Sequence, residues 1–150
     1  MTPIPRAALL LGLAGLIPFL WGAASQIFPG LADFGTRTAG PRFAGPYVSL
    51  AYGTVILSFM SGVLWGFATR ATGSAAATGY ALSVLPALWA FFMVGGGPAA
   101  AALGLMAGFA GLLVLDGLFW RWDLAPPWWM RLRGMLTAVV LACLAVPALL

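Results

Sequence analysis

Polar positions in this chain are too sparse to set a strand alternation or a two-sided helix. What repeats instead is a long apolar run closed by a cluster of Gly, Pro or Arg. Five such runs cover residues 7–28, 47–69, 75–94, 99–119 and 130–149. A helix needs about 20 mostly apolar residues to cross a hydrocarbon core of roughly 30 Å. In lipid every backbone N–H and C=O must be satisfied within the segment, which leaves helices or closed barrels. Runs of this length predict helices. The chain therefore reads as an all-α membrane protein: a bundle of five transmembrane helices forming one integral domain over residues 1–150. The first run is longer than the core of a secretory signal, about 7–15 residues, and is expected to be a retained helix.

The breaks between runs carry their own chemistry. Pro29-Gly30 should end the first helix, because proline lacks an N–H and glycine reaches positive φ easily. Pro41 and Pro46 bracket what reads as a polar loop without periodicity. Gly95-Gly96-Gly97-Pro98 reads as a tight turn joining the third and fourth helices as an antiparallel hairpin, and Ala125-Pro126-Pro127 interrupts the chain before the last.

Charge changes the picture only by orienting it. Charged residues are 7% of the chain against 63% hydrophobic, and the net charge is +4. All seven basic residues are Arg. With five spans, Arg6, Arg70, Arg121, Arg131 and Arg133 fall on one side and only Arg37 and Arg42 on the other. The excess of basic residues in short cytoplasmic loops predicts the N-terminus inside and the C-terminus outside. No basic run exists to meet phosphates, so nucleic-acid binding is not expected.

Tryptophan is concentrated near the last inside loop. Trp120, Trp122, Trp128 and Trp129, with Arg121, Arg131 and Arg133, are expected to form an interfacial anchor at headgroup level, the alternative being a headgroup or quinone pocket.

Helix association in lipid needs close backbone approach rather than apolar burial, so small residues four apart are the candidate contacts. The longest such stripe, Thr54–Ser58–Gly62–Gly66, is expected to make the second helix central, with Gly104 and Gly108 marking the fourth. Tyr52, Thr54, Ser58 and Ser61 could line a small cavity, but hydroxyls like these usually bond a neighbouring helix or their own backbone. Pro18 and Pro86 should bend the first and third helices. The segment Ile17-Pro18-Phe19-Leu20-Trp21-Gly22 is echoed by Leu85-Pro86-Ala87-Leu88-Trp89-Ala90, a faint sign of two duplicated hairpins followed by a fifth helix.

Reactive chemistry is scarce. Without His or Glu and with one Cys, Cys143, no conventional zinc, haem or di-iron site and no Ser-His-Asp arrangement can be assembled; no cofactor or metal is expected. Asp116 is the one acidic residue inside a span, and an intramembrane carboxylate is a functional candidate by default. It lies near the inner end of the fourth helix, so pairing with Arg131, Arg133 or Arg121 near a wet interface is the favoured reading over a proton relay.

Several of these residues carry a resemblance. Gly12…Gly15…Pro18-Phe19, then Tyr52-Gly53…Ile56…Ser58-Phe59…Gly62…Trp65-Gly66, then Ser83-Val84…Pro86 and Trp129…Arg131-Leu132-Arg133…Leu136-Thr137 span nearly the whole chain. Together they resemble an uncharacterised family of small five-helix proteins of proteobacterial inner membranes with mitochondrial transmembrane relatives. The resemblance implies topology and compartment but no activity. Many members carry a His immediately before the Trp of the second helix; here that position is Leu64.

The expected function is that of a non-enzymatic inner-membrane protein, an accessory, assembly or scaffold component of a larger membrane complex. The alternative is a small transporter or a lipid- or quinone-binding protein. A packed interior favours the first and a continuous polar cavity the second.

Overall fold

The structure is a computed structural model and describes residues 2–150. Among them are five helical spans long and apolar enough to cross a membrane: Arg6–Ile27, Pro46–Ala68, Gly73–Met93, Pro98–Arg121 and Trp129–Leu149. The protein is a multi-pass helical membrane bundle.

Two spans are built from half-helices. The first consists of α1 (Arg6–Ala14) and α2 (Ile17–Ile27), the third of α5 (Gly73–Ser83) and α6 (Leu85–Met93). In each, a proline, Pro18 or Pro86, is the second residue of the later half. Its ring displaces the carbonyl four residues back and contributes no N–H, so the helix restarts at that point. The restart frees backbone donors. Ala87 N–H is satisfied by Ser61 Oγ at 2.8 Å, a hydroxyl supplied by α4 (Pro46–Ala68).

The connection between the first two spans, whose Pro41–Pro46 part was expected as a polar loop, is instead folded. It forms α3 (Pro29–Ala39) and a 3-10 turn, Pro41–Phe43, closed by Gly40 and Gly45 at positive φ. Trp21 holds it to α2 by donating from Nε1 to Phe43 O at 2.7 Å, and Ser25 Oγ accepts from Gly45 N–H at 2.8 Å. Gly35 is buried here because a Cβ would stand 2.9 Å from the Trp21 ring. α3 is amphipathic but only 11 residues long, and it packs on a helix end rather than in the core, so no membrane-length apolar run marked it.

α4 touches α2, α5, α6 and α7 (Pro98–Arg121), and α7 packs along α8 (Trp129–Leu149). The second span is thus central, but not through the expected residues. Its inner face carries Ser49, Gly53, Leu57, Met60, Ser61, Leu64 and Ala68. Gly62 and Gly66 face outward, and a Cβ on either meets nothing within 4 Å. Thr54 and Ser58 turn their hydroxyls onto their own helix, at Leu50 O and Thr54 O, 2.9 Å each. On α2 and α4 the close approaches lie elsewhere: a Cβ on Gly22 would collide with Ser49, and one on Gly53 would stand 2.9 Å from Leu105. On α7 both expected glycines make close approaches, with Met93 O 2.5 Å from the Cβ position of Gly104, and Leu57 2.6 Å and Trp89 2.8 Å from that of Gly108.

Candidate functional site

The inner stripe of α7 runs Ala101, Leu105, Phe109, Leu112, Asp116 and Phe119, at helical spacing. Asp116 therefore points into the bundle with the apolar residues of its own face and is fully buried. On α8 the matching stripe contains Arg133, Thr137, Val140 and Leu144. The loop joining the two helices turns sharply enough to bring these stripes face to face. Asp123 takes positive φ as the last residues of α7 close, and Leu124 N–H bonds Phe119 O at 3.0 Å.

The result is a buried ion pair. Arg133 donates from Nε to Asp116 Oδ2 at 2.9 Å, and Trp129 donates from Nε1 to Oδ1 at 2.9 Å. Both carboxylate oxygens are engaged, one by a charged donor and one by a neutral donor. Trp129 is itself held edge-on to Phe67 of α4, with ring centroids 5.0 Å apart.

The sequence placed Asp116 near a wet interface and paired with a nearby Arg; the structure shows the pairing, with Arg133, but buries it between the helices. The reason is rotational. Distance from a helix end fixes depth along the bundle axis, whereas the face on which the residue sits decides whether it meets water. The seven residues expected as one anchor likewise divide. Trp120, Arg121, Trp122 and Arg131 are exposed, Trp128 is half-buried beside Trp129, and Trp129 and Arg133 belong to the interior pair. Arg131 bonds the carbonyl of Thr2, and Arg70 Nη1 bonds Leu124 O at 2.9 Å. These contacts tie together one end of the bundle.

Beside the ion pair lies a cleft of about 280 Å³. α1, α2, α4, α7 and α8 all contribute to it, through residues that include Gly12, Gly15, Phe19, Tyr52, Phe109 and Thr137. Arg133 also lines it. Two buried polar atoms of residues that line it, Arg133 Nη2 and Thr137 Oγ1, have no hydrogen-bond partner among the described residues. The sequence held a signal for this arrangement, since Arg133 and Thr137 are four residues apart and share a helix face. Pro18 signalled the α1–α2 break; what the sequence lacked was which helix face the break sets opposite Arg133 and Thr137, with Gly15 on that wall.

The profile of a family described as "Protein of unknown function (DUF3429)" matches residues 4–149. The chain belongs to this family. Among curated proteins it is similar to Transmembrane protein 69 of Xenopus tropicalis, 35% identical over 144 residues that make up 90% of this chain. The chain spans about half the length of that relative, 51%. No solved structure matches it.

Proposed function

We propose that this DUF3429 member is a non-enzymatic accessory or scaffold component that works by associating with other subunits within a bacterial inner membrane. One observation carries the reading. Ser58, Gly62 and Gly66 form a small-residue stripe on the outer face of the most central helix, and a Cβ on either glycine meets nothing within 4 Å. In lipid, such a stripe permits close backbone approach by another helix, the principal route to helix association there. Inside this chain it is unused. The rest of the interior supports the same reading: apart from the cleft beside Arg133 it is a core of apolar side chains, and among the described residues the buried polar groups form no continuous run from one end to the other. The Arg distribution supports an orientation with the N-terminus inside.

The test is purification of the native protein in a gentle detergent with mass spectrometry of what accompanies it. Gly62→Leu is expected to abolish co-purification of the partner while leaving the melting temperature of the isolated chain unchanged. Retention of the same partners by Gly62→Leu would remove this surface from the reading.

A further inference from the structure

We infer that the cleft beside Arg133 binds a neutral, ring-headed membrane lipid of the quinone class, whose carbonyl oxygen accepts from Arg133 and Thr137 and whose tail leaves into the bilayer. This site is separate from the outer stripe of α4 and does not depend on it.

Arg133 is 6% exposed and Thr137 is 1% exposed, yet Arg133 Nη2 and Thr137 Oγ1 have no partner among the described residues. A buried polar group left unpaired costs free energy, roughly 1–3 kcal/mol, and is a feature that calls for an explanation. Both residues line the same cleft, so a headgroup held there is the partner that their unmet donors can turn toward.

Charge narrows the ligand. Asp116 already supplies the countercharge of Arg133 through the 2.9 Å contact to Nε. A phosphate or carboxylate headgroup would set a second anion beside Asp116 in a low-dielectric interior, where like charges repel strongly. An uncharged carbonyl acceptor satisfies Nη2 without that repulsion.

Shape narrows it further. Phe19, Tyr52, Phe59 and Phe109 all line the cleft, and Phe19 packs edge-on against both Tyr52 and Phe109, at 5.2 and 6.0 Å. Aromatic walls suit a flat ring, which can pack against them by its face or its edge. About 280 Å³ is near the lower end of ligand pockets, roughly 300–1,000 Å³, and so suits a single ring better than two acyl chains. Leu11 and Phe59 at the rim are 74% and 64% exposed on the lipid-facing side, which gives the tail its exit.

The test uses the full chain in phosphatidylcholine nanodiscs and two photoreactive probes. One is an azido-benzoquinone with a decyl tail, and the other is a photoactivatable phosphatidylcholine. The quinone probe is expected to label residues 11–16 and 136–140, in competition with unlabelled decyl-benzoquinone. Gly15→Leu, which puts a side chain into the cleft beside the Tyr52 hydroxyl, should abolish that labelling. Thr137→Val should weaken decyl-benzoquinone about tenfold, the usual consequence of losing one hydrogen bond. The same change should leave the melting temperature of the ligand-free protein equal or higher, because it removes an unpaired buried hydroxyl. If Gly15→Leu does not fold, Thr137→Val alone decides. Labelling that decyl-benzoquinone does not compete, affinity unchanged in Thr137→Val, or cleft labelling by the phospholipid probe alone would each overturn the assignment.

Discussion

Arg133 and Asp116 illustrate how one pair can be recognisable while its energetics are not. Their proximity follows from a short α7–α8 connection, but their burial makes the pair costly to split. Removing one partner of a buried ion pair leaves an uncompensated charge and typically costs about 3–5 kcal/mol, whereas replacing both by apolar residues is often neutral or stabilising. Arg133→Met is therefore expected to lower stability by about 3 kcal/mol, and Asp116→Leu combined with Arg133→Met to recover most of it. Denaturation of the single and double variants in detergent measures the coupling. Small, additive losses of under about 1 kcal/mol, as in exposed pairs, would mean that the pair is wet. At the same scale, Asp123 occupies the left-handed region at φ 61°, where glycine is favoured. Asp123→Gly is expected to stabilise the α7 terminus by about 0.5–1 kcal/mol, seen as a rise in melting temperature.

Between helices, the decisive features are the glycines of the inner faces and the hydroxyl that serves a broken helix. Gly108→Leu should force α7 away from α4 and α6, because Leu57 and Trp89 already occupy the space that a Cβ would need. Gly62→Leu should be harmless to the isolated chain. The loss expected for Gly108→Leu is about 1–3 kcal/mol or more, as for overpacking in a core, and thermal unfolding of the two variants side by side checks it. Ser61→Ala removes the acceptor for Ala87 N–H at the restart of α6 and should cost about 1 kcal/mol. The sequence echo has a counterpart at this scale. Both copies contain a helix restart before proline, and the matching tryptophans, Trp21 and Trp89, each donate to a backbone carbonyl at 2.7 Å. The proline in each copy was visible in the sequence. The distant acceptors, Phe43 O and Gly104 O, were not, because they depend on where the neighbouring segment returns.

For the molecule as a whole, orientation is the property most open to direct measurement. On the proposed orientation, which rests on five arginines against two, α3 is expected outside and the turns at Thr72 and Asp123 inside. In a Cys143→Ala background, Thr36→Cys should react with an impermeant maleimide added to intact cells. Thr72→Cys should react only after the cells are opened. The opposite pattern would invert the topology. Cys143 is buried in α8 and should contribute little background even if retained.

The number of spans, their approximate ends and the two proline restarts were written in the sequence. Each depends on local quantities: the length of an apolar run, the missing N–H of Pro18 or Pro86, and the Gly-Pro clusters between runs. The rotation of each helix about its axis was not. A soluble helix reveals its buried face by polar residues on the other side, but a helix in lipid is apolar all round, so hydropathy carries no phase. α4 offered two stripes of small residues, one containing Ser49, Gly53 and Ser61 and the other Thr54, Ser58, Gly62 and Gly66. Adjacent residues lie about 100° apart on a helix. Only the packing of Leu105, Phe19 and Leu57 decided that the first faces inward. The same rotation carried Asp116 and Arg133 from the expected interface into the interior and set Thr137 against a cleft that only the opened α1–α2 wall completes.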